Sequence, residues 1–275
     1  MAHPLISFLT DFGPDGPAPI CRGVMLGIAP DAQIVDIAHG VRKYAIRDGA
    51  YLLWCAVPYL PVGTHVAVVD PGVGTERLPI AIRAGRGDVL VGPDNGLLVP
   101  AAERLGGIAE ARGLENRDLM LATTSATFHG RDIFSPVAAH LASGTPFESV
   151  GSVLPKEELV GLAFPEPIVG DGELRTSILY LDSFGNARLA GDPDDLASAL
   201  GPLEPGRRLA IELDGEGGRA RTASATWEQT FGRVPVGAAL VYEDSFGRLS
   251  LAENQGDVAT RLGLSVDQPA IIRAA

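Results

Sequence analysis

HVAVVDPGVGTERLPIAIRA, residues 65–84, sets two apolar runs, HVAVV and PIAIRA, on either side of a segment built from Asp, Pro, Gly and Thr. β-branched residues suit a pleated strand, while Pro and Gly pre-set or permit turn dihedrals, so the stretch predicts strand, tight turn, strand. Asp70 stands at the exit of the first strand and Arg77 just before the second. The pattern leaves open whether the turn only reverses the chain or brings a charged pair around a reacting atom.

Working outward, LISFLT, QIVDIA and DVLVG repeat the strand pattern, and GVMLGIA and AIRDGAYLLWCAVPYL alternate with them as helical segments. Strands alternating with helices predict an α/β domain with a mostly parallel sheet. Two further helices are expected, in GLLVPAAERLG before Gly106 and Gly107, and in DIFSPVAAHLASG before Gly144. The Pro-rich acidic text KEELVGLAFPEPIVGDGE breaks this alternation. The expected organisation is therefore an α/β domain over 1–160, a linker over 161–171 and a smaller β-rich domain over 172–275. DSFG occurs at 182–185 and again at 244–247, too short a match to establish a duplication.

With 22 Lys and Arg against 34 Asp and Glu, the formal charge is −12 and is spread along the 275 residues. That field argues against nucleic acid and anionic membranes as partners and suits a small neutral or cationic ligand. Apolar runs fall short of a membrane span and the N-terminal text lacks a signal-peptide pattern, so a cytoplasmic protein is expected. Cys21 and Cys55 have no metal-site spacing and read as buried free thiols.

In an open α/β sheet, ligands gather at the carboxyl ends of strands. Asp11, Asp70 and Asp94 each follow a predicted strand there. Singly, each is better explained as a turn or cap residue; three at equivalent ends of one sheet shift the balance toward a carboxylate-rich cleft. HGRD at 129–132 adds His129 near the same edge, where an imidazole could orient or deprotonate water. Asp132 is also an N-cap candidate for the helix that follows. No Walker loop, GxGxxG after the first strand, GxSxG elbow or HExxH occurs. A metal held by Asp11, Asp70, Asp94 and His129 is conceivable in composition, but no local spacing requires it.

FLTDFG (8–13), IVDIAHGV (34–41), VVDPGVGTER (68–77), GPDNGLL (92–98), TFHGRDIFSPVAAHLA (127–142), DSFGN (182–186) and LAENQG (251–256) together resemble the S-adenosyl-L-methionine hydroxide adenosyltransferases, relatives of the fluorinase and chlorinase. The resemblance runs in order along nearly the whole chain. It implies an N-terminal α/β domain, a C-terminal β-barrel-like domain and a homotrimer whose sites lie between subunits. It also implies cleavage of S-adenosyl-L-methionine by water at the ribose C5′, giving adenosine and L-methionine, with no metal or other cofactor. The implied water-activating triad is Asp70, Arg77 and His129, with Arg77 orienting because a guanidinium stays protonated. Asp11 matches the ribose-diol grip and Asp182 a contact to the methionine ammonium. Phe184 and Asn186 match the adenine side, Phe231 a base-stacking aromatic, Ser245 a methionine-carboxylate contact and Tyr44 an aromatic near the methionine chain.

The halogenases resemble this chain but carry Tyr at the position of Asp70, and Tyr followed by a small residue at His129 and Gly130. Both differences favour water over halide, since an anionic Asp70 repels halide. The chain departs from the family in PDGPAPICRG after TDFG, in ARLA after DSFGN and in Phe246, where the halogenases have arginine. Alternatives to the hydrolase are an S-adenosyl-L-methionine or nucleoside-binding protein with little activity and a halogenase.

Overall fold

The computed structural model describes residues 3–214 and 221–275. The chain divides into two compact units, Met1–Ala163 and Phe164–Ala275.

In the N-terminal unit, β1 (Leu5–Thr10), β2 (Gln33–Ala38), β3 (Thr64–Val68) and β5 (Val89–Pro93) run parallel, and β4 (Pro79–Ala84), β6 (Ile108–Gly113) and β7 (Val153–Leu154) add antiparallel pairings. The sheet order is β2-β1-β3-β5-β4-β6-β7. Because β6 is reached from β5 by two antiparallel steps, it shares the direction of the parallel set, and most strands of the sheet point one way. PIAIRA is thus a strand as expected, but a hairpin partner of β5. The tight turn 85–88 returns the chain at once and leaves no room for a crossover helix.

Helices α1 (Ala18–Ile28), α2 (Ile46–Ala56), α3 (Val99–Arg104) and α4 (Ser135–Ala142) form where the alternation predicts them. In PDGPAPI, residues 14–17 form the turn before α1, and Ala18, Pro19 and Ile20 begin the helix. Gly106, Gly107 and Gly144 take positive φ after α3 and α4, a conformation that stops a helix at little cost to glycine. The core of this unit joins Ile6 and Phe8 of β1 and Val66 and Val68 of β3 to Cys21, Met25, Phe134 and Val137. Burial pushes the Cys21 thiol up to about 11, so it packs as an apolar group. Cys21 and Cys55 are both free and buried.

At the amino ends of the parallel strands, Ser7 Oγ lies 2.8 Å from His65 Nδ1, and His65 Nε2 lies 2.9 Å from Asp88 Oδ1. All three residues are fully buried, and Arg86 pairs with Asp88 at 2.7 Å. Burial alone would raise the Asp88 carboxyl, but hydrogen bonds from Arg86 and His65 hold it well below the usual range. The set clamps β1, β3 and the start of β5 at the end opposite Asp11 and Asp70.

In the C-terminal unit, β10 (Ala187–Leu189), β14 (Leu249–Glu253), β13 (Ala239–Glu243), β12 (Arg221–Trp227), β11 (Arg208–Leu213), β15 (Pro269–Ala274) and β9 (Glu173–Leu181) follow one another, and β9 pairs back onto β10. Seven strands therefore close a barrel, as the β-barrel-like expectation requires. Alternating inward residues, among them Leu174, Ile178, Leu209, Ile211, Val241 and Ile272, fill it. Two helices, α5 (Pro193–Leu200) and α6 (Val258–Leu262), were not expected from the β-rich text. Asp192 begins α5 with a capping box closed by Asp195. The stretch 161–171 read as linker also differs: β8 (Ile168–Gly170) pairs antiparallel with β9 as an added edge strand.

The two DSFG copies are structurally equivalent. In each, the Asp Oδ1 accepts the backbone N–H groups two and four residues on, and the glycine takes positive φ, 80° at Gly185 and 76° at Gly247. One turn joins β9 to β10 and the other joins β13 to β14, so the repeated text is a repeated hairpin. No helix among the described residues is long and apolar enough to cross a membrane.

Candidate active site

β1 and β3 pair with Thr10 opposite Val68, so Asp11 and Asp70 leave neighbouring strands at the same sheet edge. A strap from β2 to α2 fixes Asp11. His39 Nδ1 lies 2.9 Å from Thr10 Oγ1, the His39 carbonyl accepts Gly13 N–H at 2.7 Å, and Tyr44 N–H donates to Asp11 Oδ2 at 2.9 Å. Tyr44 makes that bond from the left-handed region, at φ 66°, with its side chain 69 % exposed. Such backbone strain persists only where the surroundings demand it.

The turn after β3 does bring Arg77 back to Asp70. Arg77 Nε donates to both carboxylate oxygens at 3.0 Å, and one terminal nitrogen donates to Oδ2 as well. The same terminal nitrogen lies 2.8 Å from His129 Nδ1, and the guanidinium sits over the Phe134 ring, 5.2 Å from its centroid. The side chains of Arg77 and Asp70 are 9 % and 5 % exposed. All three members of the implied triad therefore meet, with arginine at the centre.

Chemistry follows from that order. A guanidinium can only donate, so His129 Nδ1 is the accepting nitrogen and the neutral ring carries its proton on Nε2. Burial first, and then the Arg77 charge, hold the imidazole below its ordinary pKa, although Asp70 and Asp132 pull the other way. His129 is therefore neutral at neutral pH and offers an Nε2–H donor. The Asp70 charge is balanced by Arg77, so repulsion of an anion by this carboxylate is weakened. A carboxylate can still accept a hydrogen bond from water, which a halide ion has no proton to give.

His129 is presented by a π turn, Gly130–Phe134, running into α4. Ser135 Oγ donates to the Gly130 carbonyl at 2.7 Å, satisfying a backbone group in the widened turn. Asp132 does not cap the helix as expected. It is fully buried and accepts Ser125 N–H at 2.7 Å while pairing with Arg131, which anchors the incoming loop. Burial would raise its carboxyl; Arg131 and the Ser125 N–H bring it below the usual range. An added Cβ at Gly130 would lie 2.9 Å from Phe12 Cζ, so glycine there lets the aromatic corner after β1 close onto the turn.

Asp94, grouped with Asp11 and Asp70 by its strand exit, is otherwise engaged: it is buried and accepts Val160 N–H at 3.0 Å. Its neighbour matters more. Asn95 donates to the Val69 carbonyl at 2.9 Å and fixes the backbone immediately before Asp70. Among the described residues no group of three His, Cys, Asp or Glu side chains is arranged to hold a metal ion.

The other implied contacts lie in the C-terminal unit. Asp182 takes Asn186 Nδ2 on Oδ2 at 3.0 Å besides shaping its turn. Phe184 at the tip is 78 % exposed, Asn186 is buried, and Ser245 of the second DSFG turn is exposed. Phe231 packs against Tyr242 with ring centroids 5.0 Å apart. Arg188 pairs with Asp244 at 2.9 Å and lies 3.7 Å from Asp182, tying the two turns to each other.

Residues 6–151 match the SAM hydroxide adenosyltransferase N-terminal domain, and residues 176–271 match the C-terminal domain of the same family. A protein of Salinispora tropica named (R)-S-adenosyl-L-methionine hydrolase is 45% identical over 266 residues, 95% of each chain. A fluorinase of Actinopolyspora mzabensis is more distant, 30% identical over 94% of this chain and 93% of its own. The crystal structure of an uncharacterised conserved protein from Thermotoga maritima superposes with a TM-score of 0.89 at 34% identity, over 98% of this chain and 99% of that one. The chain belongs to the SAM hydroxide adenosyltransferase family.

Proposed function

We propose that this protein hydrolyses S-adenosyl-L-methionine at the ribose C5′, releasing adenosine and L-methionine, without a metal or other cofactor. The observation that carries the reading is the Asp70–Arg77–His129 set, joined through one guanidinium. Relatives named as hydrolases of this substrate support it.

A sulfonium is already a good leaving group, so the protein need only align a water behind C5′ and stabilise the change in its charge. A carboxylate offers about four acceptor sites, of which Arg77 takes three at Asp70, leaving one for water. In this reading the nucleophile gives one proton toward Asp70 and receives a hydrogen bond from His129 Nε2–H. One lone pair then remains to attack C5′. This assigns proton acceptance to Asp70 and orientation to His129. Asp11 grips the ribose hydroxyls through the carboxylate that Tyr44 N–H holds. Asp182, Phe184, Asn186, Phe231 and Ser245 contact methionine and adenine from a neighbouring subunit of a homotrimer, with Tyr44 near the methionine chain.

Purified protein incubated with S-adenosyl-L-methionine should release adenosine and methionine in equal amounts. Asp70→Asn should lower kcat by about 10²–10⁴-fold and leave substrate binding nearly intact. Tight binding with no product, unchanged by Asp70→Asn, would instead identify a nucleoside-binding protein.

A further inference from the structure

A cavity of about 550 Å³ reaches the triad on a flank that the substrate assignments leave unused. Arg77 and His129 form part of its wall, with Thr75, Glu115, Thr124 and Ser125 supplying further polar groups. Its position follows from the sheet order. β1, which carries Asp11, lies on one side of β3, whereas the cavity is bounded by Pro79 at the start of β4 and Leu114 just after β6, on the other side. Every residue lining it belongs to the N-terminal unit.

Hydrolysis of a sulfonium has a strict balance. The C5′–S bond breaks with its electron pair going to sulfur, a C5′–O bond forms, and one proton leaves the incoming oxygen. Each turnover therefore consumes one water and discharges one proton while the nucleoside occupies the Asp11 side. We propose that this cavity is the solvent antechamber of the triad, supplying the nucleophilic water and draining the proton along its hydroxyl- and charge-bearing wall. At roughly 30 Å³ per water, the space holds on the order of ten waters, and its polar groups can hold them in place. Backside displacement also calls for delivery from a direction other than the one the leaving group occupies; Tyr44, assigned to the methionine chain, is hydrogen-bonded to Asp11, and the cavity lies on the opposite flank of β3.

The proposal rests on the hydrolase reading, and the test separates the two. Thr124→Trp and Met120→Trp fill the cavity from two places on its wall, while Thr124→Ser keeps both the hydroxyl and the open space. Adenosine affinity is measured by calorimetry alongside kcat and KM for S-adenosyl-L-methionine. The expected result is a kcat at least about tenfold lower in each Trp variant, with adenosine affinity and KM within about twofold of wild type and Thr124→Ser near wild type in all three. The antechamber is overturned if a folded Trp variant keeps the wild-type kcat, if Thr124→Ser loses as much as Thr124→Trp, or if the fall comes with lost adenosine binding. Absence of turnover in the wild-type protein itself would instead overturn the hydrolase reading.

Discussion

Arg77 donates in two directions, to Asp70 and to His129, and that decides which protons the site can move. Its hydrogen bond requires an unprotonated Nδ1, so protonating His129 breaks the contact. Activity should fall as pH drops through the His129 pKa, which lies below the ordinary imidazole value because of burial and the Arg77 charge. Removing that charge leaves Asp70 uncompensated beside the ring. Arg77→Gln should therefore raise the His129 pKa, read by NMR titration of the imidazole, and lower kcat on the order of 10²-fold. An unmoved titration would detach His129 from Arg77. The identities of Asp70, Arg77 and His129 were legible in the sequence through VVDPGVGTER and TFHGRDIF. The central place of arginine was not, because residue spacing carries no information about which nitrogen faces which oxygen. Asn95 and Asp132 escaped as supports for the same reason: each reaches backbone that is remote in sequence or beyond its own turn.

At the scale of the element, the site depends on a turn pressed against a loop. Gly74 adopts φ 77°, and an added Cβ would lie 2.3 Å from the Ala126 carbonyl oxygen, in the loop that leads to His129. Glycine is required there by both dihedral and space. Gly74→Ala should cost about 1–3 kcal/mol of stability and reduce kcat by separating Arg77 from His129, checked by thermal melts and steady-state kinetics. A variant with wild-type melting and rate would show that the close approach is dispensable. Strand and turn alternation gave the correct elements around this turn. It failed where local text underdetermines pairing: β4 joins its sheet antiparallel, β8 forms inside an apparent linker, and α5 needs only a short capped segment. Repetition was under-read too, since the four residues of DSFG specify a complete hydrogen-bonded hairpin turn twice.

For the whole molecule, the fold class was legible because both periodicities persist along the chain, helix alternating with strand in one unit and strand after strand in the other. Barrel closure was legible only through the family resemblance and not through strand pattern, since it depends on the contact of β9 with β10 and the long-range pairing of β9 with β15. Tyr44 and Phe184 are aromatic, assigned to the substrate and 69 % and 78 % exposed. Assembly into a homotrimer would cover such side chains with a neighbouring subunit. Sedimentation should give three times the 28.7 kDa chain mass, and a monomer with full activity would show that no neighbouring subunit completes the site. Attack by water at C5′ is checked by turnover in ¹⁸O-labelled water, followed by mass spectrometry of both products. One labelled oxygen is expected in the adenosine 5′-hydroxyl, with methionine unlabelled. Unlabelled adenosine, or label in homoserine released with methylthioadenosine, would contradict it.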